Sequence, residues 1–269
     1  MIHPTAWVDE SVQVPESCTV GPFCVIERGV QLGPRVVLGV QVVLKSGVCL
    51  GEEVQVHSHA VVGDNPQISG QRLDFESGVQ IGARTVLREG VTIHRASQPH
   101  QWTRIGSDCL FMAFSHVGHD TTVGDHCILA NLALLAGWVT VGPYAFLSGG
   151  SMVQQFVQIG ESAFLSGNAE ISMHIPPFVT VIGRNEAANI NVVGLQRRGF
   201  SSEEVADIKQ RYRWMYDGTS LSFQKRAAQA LEEKQYTTDR GRQFLSFFTQ
   251  SMPSRGFVYP RSHRWEKSW

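Results

Sequence analysis

The chain contains no apolar run approaching the roughly twenty residues that cross a bilayer, so stable membrane insertion is not expected. It also has no excess of charge, with 23 Lys and Arg against 24 Asp and Glu. That balance lacks the electrostatic footprint of a nucleic-acid or anionic-membrane binder. Ile2 to Ala6 shows no basic segment leading into an apolar one, so nothing reads as a secretory signal and a cytoplasmic protein is expected. Cysteine is scarce at five residues. Cys18, Cys24, Cys109 and Cys127 occupy small inward positions of the repeat described next, and Cys49 precedes an inward Leu50. They read as apolar filler in a reducing compartment rather than as disulfides or metal ligands.

What the chain does have is a period of six. Every sixth residue from Ile2 to Val62 is Ile, Leu or Val, and the register resumes at Ile81 and runs to Ile171, with Phe111 among its members and a break only at Pro99. Two residues before each aliphatic the side chain is almost always small, as at Ala60, Thr85, Thr103, Ser115, Thr121 and Ala133. A strict short period indicates a solenoid, whose units bury their apolar edges only by stacking on neighbours. With Gly often following the aliphatic, as at Gly21, Gly33, Gly82 and Gly160, the pattern resembles the left-handed parallel β-helix of hexapeptide acyltransferases. Three hexads would make one triangular coil, so positions eighteen apart would stack about 4.8 Å apart. The glycines are expected to supply unusual backbone angles at corners.

Two external loops are expected, near 64–78 and 96–102, and both precede a histidine-rich coil. Ile175-Pro176-Pro177 is expected to end the ladder, which divides the chain into a β-helix over 1–188 and a helical domain over 189–269. In the second part, Ser201 to Glu204 forms a capping-box pattern ahead of an amphipathic helix carrying Val205, Ile208, Tyr212, Met215 and Tyr216. Two more helices are expected, over about 222–234 and 239–250. The tail beyond Pro253 is basic and aromatic.

The densest polar cluster is Ser115-His116-Val117-Gly118-His119-Asp120. Val117 is the inward residue, so His116 and His119 project outward, where a solvated histidine pair is the ordinary reading. Stacking adds to this: Gly137 lies eighteen residues after His119, and Gln155 eighteen after Gly137. A histidine base beneath a glycine amide suits acyl transfer, which needs a proton acceptor for a hydroxyl and a donor for an oxyanion. Asp120 reads equally as an orienter of His119 and as a turn residue.

Thr92-Ile93-His94-Arg95, His116-Val117-Gly118-His119-Asp120, Cys127-Ile128-Leu129-Ala130-Asn131, Gln155-Phe156 and Gly194-Leu195-Gln196-Arg197-Arg198-Gly199-Phe200 together resemble one family. It is the acyl-carrier-protein-dependent UDP-N-acetylglucosamine acyltransferases of lipid A synthesis, and the resemblance covers essentially the whole chain. It implies His119 as general base for the sugar 3-hydroxyl, Asp120 as its orienter and the Gly137 amide as oxyanion donor. It further implies substrate contacts at His94, His116, Gln155 and Gln67, and at Asn191, Arg197 and Arg198 toward the UDP or phosphopantetheine groups. Gly167 falls where acyl length is measured, although it also reads as a corner glycine. The implied partners are acyl carrier protein, UDP-N-acetylglucosamine and two further copies of the chain in a homotrimer. No metal or bound cofactor is implied, because the phosphopantetheine arrives on the donor.

The chain departs from the family pattern at four places. Trp138 and Gln154 stand where histidines are common, Val193 replaces an acidic residue, and Ile68 to Arg72 replaces an Asp-Leu-Lys segment, so that a phosphate-contacting lysine is either replaced by Arg72 or lost. These departures keep several alternatives open: a modified acceptor such as a 3-amino sugar nucleotide, an acetyl-coenzyme A-dependent hexapeptide acetyltransferase, and a non-catalytic binder of acyl carrier protein or nucleotide sugar. A γ-class carbonic anhydrase shares the fold, but its zinc-ligand spacing is not met by His94, His116 and His119.

Overall fold

Each hexad becomes a short strand and a turn. The aliphatic residue ending the strand points inward, and Leu38, Leu44, Leu129 and Leu135 are fully buried there. The computed structural model describes residues 1–70, 74–217 and 221–261. Strands three hexads apart pair in parallel and form three faces of a left-handed parallel β-helix. The first face runs from Trp7–Val8 to Glu170–Ile171, the second from Gln31–Leu32 to Gln158–Ile159, and the third starts at Thr19–Val20. We call the turn between the first and second faces the first corner, that between the second and third the second corner, and the return to the first face the third corner.

The eighteen-residue stacking holds over most of the helix, as where Val117 pairs with Leu135. It fails across the two loops, where Val48 pairs with Val79 and Val86 with Leu110. The coils there carry thirteen and six additional residues respectively, between Asp64 and Gly78 and between His94 and Trp102. The second insertion equals one hexad, so the sixfold register runs on through Pro99 although that residue lies outside the coil. Both loops leave the first corner.

Two expectations about small residues need correction. The left-handed backbone angle falls two residues after the glycine rather than on it: Phe23 after Gly21 has φ 57° and Arg35 after Gly33 has φ 59°. The glycine is needed for space, since a Cβ on Gly21 would lie 2.3 Å from the Gly39 carbonyl oxygen of the next coil. Nor are the inward cysteines mere filler. The thiols of Cys18, Cys24, Cys109 and Cys127 donate to the carbonyls of Gly33, Gly39, Gly124 and Gly142 at 3.3, 3.0, 3.2 and 3.2 Å. Thr121 does the same at Ala136 at 3.0 Å. These side chains satisfy corner carbonyls that the parallel ladder leaves over. All five cysteines are unpaired thiols.

Pro176 and Pro177 do not end the pairing. Val179–Ile182 continues the third face beside Phe164–Leu165, Glu186–Ile190 folds back antiparallel on it, and Tyr259–Pro260 returns from the far end of the chain to pair with Glu186 and Ala187. Between them lie α1 (Val192–Arg197), α2 (Ser202–Tyr216), α3 (Phe223–Glu232) and α4 (Asp239–Phe247). The capping box is present at Ser201 and Glu204, and Ser222 and Thr238 cap α3 and α4. Helix α1 was not expected from the sequence; its signal is Asn191, whose side chain accepts the Gly194 N–H. Phe223, Phe244, Phe248 and Phe257 pack the domain's aromatic core.

Candidate active site

His119 and Asp120 sit at the first corner, after Gly118. With Asp120 in the left-handed region at φ 59°, its carboxylate reaches back to the preceding imidazole, and Oδ2 lies 2.7 Å from His119 Nδ1. Both carboxylate oxygens also accept the Ser97 N–H, at 3.0 and 3.1 Å, from the six-residue insertion. The Asp120 N–H donates in turn to Thr103 Oγ1 at 2.9 Å. Burial works to raise the Asp120 pKa, but the bonds from His119 and Ser97 outweigh it and hold the carboxyl below its ordinary value. An ionised carboxylate can only accept, so His119 carries its proton on Nδ1 and leaves Nε2 as the basic nitrogen.

One coil above, Gly137 faces that nitrogen. A Cβ at this position would lie 2.5 Å from His119 Cε1 and 2.6 Å from Nε2. The Gly137 N–H donates to no acceptor among the described residues. Trp138 follows it and meets the imidazole edge-to-face, with centroids 4.3 Å apart at 88°. Phe156, another coil up, stacks on the indole at 4.9 Å and 13°. His119 is consequently only 5 % exposed within a single chain. The solvated-pair reading is overturned: Trp138 and the insertion bearing Ser97 cover a side chain that the period turns outward.

His94 and His116 lie beside this pair, their rings edge-to-face at 4.9 Å. Burial lowers the His94 pKa, against the pull of Asp64. Burial, with the neighbouring His94 and His119, lowers that of His116 to about 4. Both are therefore neutral near pH 7, and His116 Nδ1 shares a hydrogen with Thr92 Oγ1 at 2.8 Å. A groove of about 540 Å³ runs from His116 along the first face over Leu134 and Met152, with Gln67, Gln154, Glu170 and Arg184 on its walls. His116, Leu134, Met152 and Glu170 stand in one column of paired residues. Among the described residues no three His, Cys, Asp or Glu side chains converge as metal ligands.

The structure thus brings His94, His116, His119, Asp120 and Gly137 together, with Gln67 on the same groove. Gln155 is exposed two coils above His119. Arg72 lies outside the described residues, as does the tail from 262. Gly167 is exposed at the third corner, and a Cβ there would meet only the Gly149 carbonyl oxygen at 3.5 Å, ordinary contact. It is Asn168 that takes the left-handed angle, φ 56°, so Gly167 is not required by corner geometry.

Asn191, Arg197 and Arg198 are at the second corner, away from His119. The Asn191 side chain is committed to capping α1 and to donating to the Ser162 carbonyl at 3.0 Å. Arg198 pairs with Glu161 at 2.7 Å and lies 3.7 Å over the Tyr144 ring, while Arg197 is exposed. Sequence reasoning missed Ser97, Thr103 and Glu161. It also missed His174, buried at 1 %, which accepts the Gln158 N–H at 3.0 Å and donates to the Pro253 carbonyl at 2.8 Å.

A family model described as "Udp N-acetylglucosamine O-acyltransferase; Domain 2" matches residues 175–258, and one described as "Bacterial transferase hexapeptide (six repeats)" matches 103–137. The chain is 47 % identical to an acyl-(acyl-carrier-protein)–UDP-N-acetylglucosamine O-acyltransferase of Chlorobaculum parvum, over 96 % of this chain and 98 % of that one. It resembles the solved UDP-N-acetylglucosamine acyltransferase from Campylobacter jejuni, with TM-score 0.88 and 29 % identity over 97 % of this chain and all of the other. The Francisella novicida UDP-N-acetylglucosamine acyltransferase gives TM-score 0.81 and 31 % identity over 97 % and 95 %.

Proposed function

We propose that this chain, which belongs to the UDP-N-acetylglucosamine O-acyltransferase family, moves a 3-hydroxyacyl chain from acyl carrier protein to the 3-hydroxyl of UDP-N-acetylglucosamine, the first step of lipid A biosynthesis. The observation that carries the mechanism is the 2.7 Å His119–Asp120 contact beneath a glycine whose missing side chain leaves the basic nitrogen uncovered.

Nε2 of His119 takes the proton of the sugar hydroxyl as its oxygen attacks the thioester carbonyl. The carbonyl electrons move to oxygen, and the Gly137 N–H, which donates to no acceptor among the described residues, stabilises that oxyanion in this reading. Collapse of the tetrahedral adduct breaks the carbon–sulfur bond, and the imidazolium returns its proton to the departing thiolate. Asp120 stays ionised throughout and stabilises the imidazolium. No bound cofactor is needed, since the thioester comes on the donor's phosphopantetheine. The apolar floor of the groove, Leu134 and Met152, suits a fatty chain.

The chain works as a homotrimer in this reading. Asn191, Arg197 and Arg198 reach a first-corner site only if a neighbouring copy presents its second corner there. Apolar side chains also await cover, Phe114 at 62 % and Leu132 at 57 % exposure among them. Sedimentation of a single monomeric species at assay concentration would remove this part. Among the described residues no helix is long and apolar enough to cross a membrane. Five free thiols suit the cytoplasm.

The test is transfer by the purified protein from a panel of 3-hydroxyacyl carrier proteins to UDP-N-acetylglucosamine and to its 3-amino analogue. His119→Ala is expected to lose about two to four orders of magnitude in kcat. Turnover of the amino analogue alone would replace ester with amide formation, and no turnover with any pair would overturn the reading.

A further inference from the structure

Four of the nine described arginines of the C-terminal region have their charge met inside the protein, and Arg197, Arg213, Arg242 and Arg261 are exposed. Arg198 and Arg240 share Glu161, Arg211 pairs with Asp207 at 3.3 Å, and Arg226 donates to the carbonyls of Met215, Trp214 and Asp217. Arg255 differs. It is half-buried, forms no ion pair among the described residues, and yet is held in place. Its Nη1 donates to Gln154 Oε1 at 3.1 Å and its guanidinium lies 5.9 Å from the Phe156 ring, the top of the stack that begins at His119.

The segment carrying Arg255 is fixed by His174. The ring donates to Pro253, the His174 N–H donates to the Gly256 carbonyl at 2.8 Å, and Val258 donates back to the His174 carbonyl at 3.0 Å. Gln154, the residue that positions Arg255, lines the groove that starts at His116, and Arg184 lines the same end. Glu170 is the acidic residue of the groove lining; its backbone bridges to Arg184, and its carboxylate forms no ion pair with either arginine among the described residues. Two guanidiniums against one carboxylate leave this end with one positive charge. His119 and Phe156 are two coils apart, roughly 10 Å.

We propose that Arg255 and Arg184 form an anion site at the far end of this groove, and that it takes the phosphate ester of one of the two substrates while the reacting group lies at His119. This rests on the acyl-transfer reading. The chemistry fits either phosphate source. A phosphopantetheine arm has a phosphodiester at one end, a thioester at the other and amides between them that Gln67 and Gln154 could meet. A sugar nucleotide has its diphosphate beside the sugar. The planar forks of two arginines bind phosphate oxygens in pairs.

Steady-state kinetics of full-length Arg255→Ala, Arg184→Ala and the double variant, with each substrate varied in turn, test the site. One KM is expected to rise about tenfold in each single variant and further in the double, with kcat within about twofold of wild type. The rise should shrink as ionic strength increases. An increase for the acyl carrier protein alone assigns the phosphodiester, and one for UDP-N-acetylglucosamine alone assigns the diphosphate. Unchanged KM values for both would overturn the proposal.

A wild type without transferase activity would defeat the acyl-transfer reading but not this site, so binding is read separately by calorimetry with UDP and with phosphopantetheine. Weakening of either by about tenfold in Arg255→Ala, partly recovered in Arg255→Lys, supports the site. Equal affinities in wild type and variant, or no binding of either probe to the wild type, overturn it. Matched thermal melts confirm that the variants are folded.

Discussion

The first and second corners of the prism both gather polar side chains from successive coils, but they dispose of them in opposite ways. At the second corner Glu161 takes Arg198 and Arg240 at 2.7 and 3.5 Å and the Gln243 amide at 2.6 Å, so the charges close on one another and tie the helical domain to the β-helix. At the first corner the chain stops short of closure: Asp120 holds one nitrogen of His119, while Nε2 lies against the bare Cα of Gly137, whose N–H donates to no acceptor among the described residues. A satisfied network stabilises, whereas a held but unfinished one can accept a proton from something else.

The sharpest way to break this contrast is Gly137→Ala. Its methyl would meet the imidazole at 2.5 Å, so the ring must shift, and kcat is expected to fall about a hundredfold with little change in melting temperature. Gly167→Ala at the third corner, with nothing closer than 3.5 Å, should leave the melting temperature unchanged. A Gly137→Ala enzyme with normal kcat would mean the imidazole is not held where it reacts.

Glu161→Ala tests the other side. It strands the partly buried Arg198 guanidinium and leaves Arg240 with only the 3.9 Å ion pair to Glu204 among the described residues, and a loss of about 2 kcal/mol in unfolding free energy is expected, below the value for a fully buried pair because Arg240 is one-third exposed. Chemical denaturation should show this loss to be proportionally larger than any fall in kcat. The reverse order would make the second corner part of the chemistry.

The histidines sharpen the comparison through pH. His116 titrates at about 4 in the folded protein against about 6.5 unfolded, so between those values the unfolded chain binds the additional proton and stability falls as pH drops. This contribution is about 1–2 kcal/mol after allowing for solvent near the ring. His116→Gln should flatten the stability curve between pH 6.5 and 4, and a parallel curve would refute the buried neutral state. The smallest effect expected is at Thr103. Thr103→Val removes the acceptor of the Asp120 N–H and should lower kcat about threefold, with Thr103→Ser, which keeps the oxygen, restoring it. Equal kcat in the valine variant would remove Thr103 from the support of the site.

Much of this was legible in the sequence because period six is a statement about space. It yields the faces, the inward aliphatics and the His119–Gly137 stack, since no insertion lies between those two coils. Legibility ends where the period does. Ser97 reaches Asp120 from an insertion that obeys no repeat, and because that insertion is one hexad long it leaves the register looking unbroken. Nothing local to Arg198 announces Glu161, thirty-seven positions earlier and across the domain junction. Asn191 looks equally like a ligand contact and a helix cap until its two bonds, to Gly194 and Ser162, are visible. The cysteines were misjudged for a related reason: periodicity tells which way a side chain points, not which carbonyl it finds.

The eighteen-residue coil also makes the molecule a graduated scale. Because each turn touches only its neighbours, removing or adding one whole turn between Trp138 and the C-terminal helices leaves every face and corner in phase while sliding the Arg255 end by one graduation, about 4.8 Å, relative to His119. The span between two ends of a bound molecule is then a quantity that can be dialled in discrete steps by editing chain length, with the chemistry at His119 left untouched.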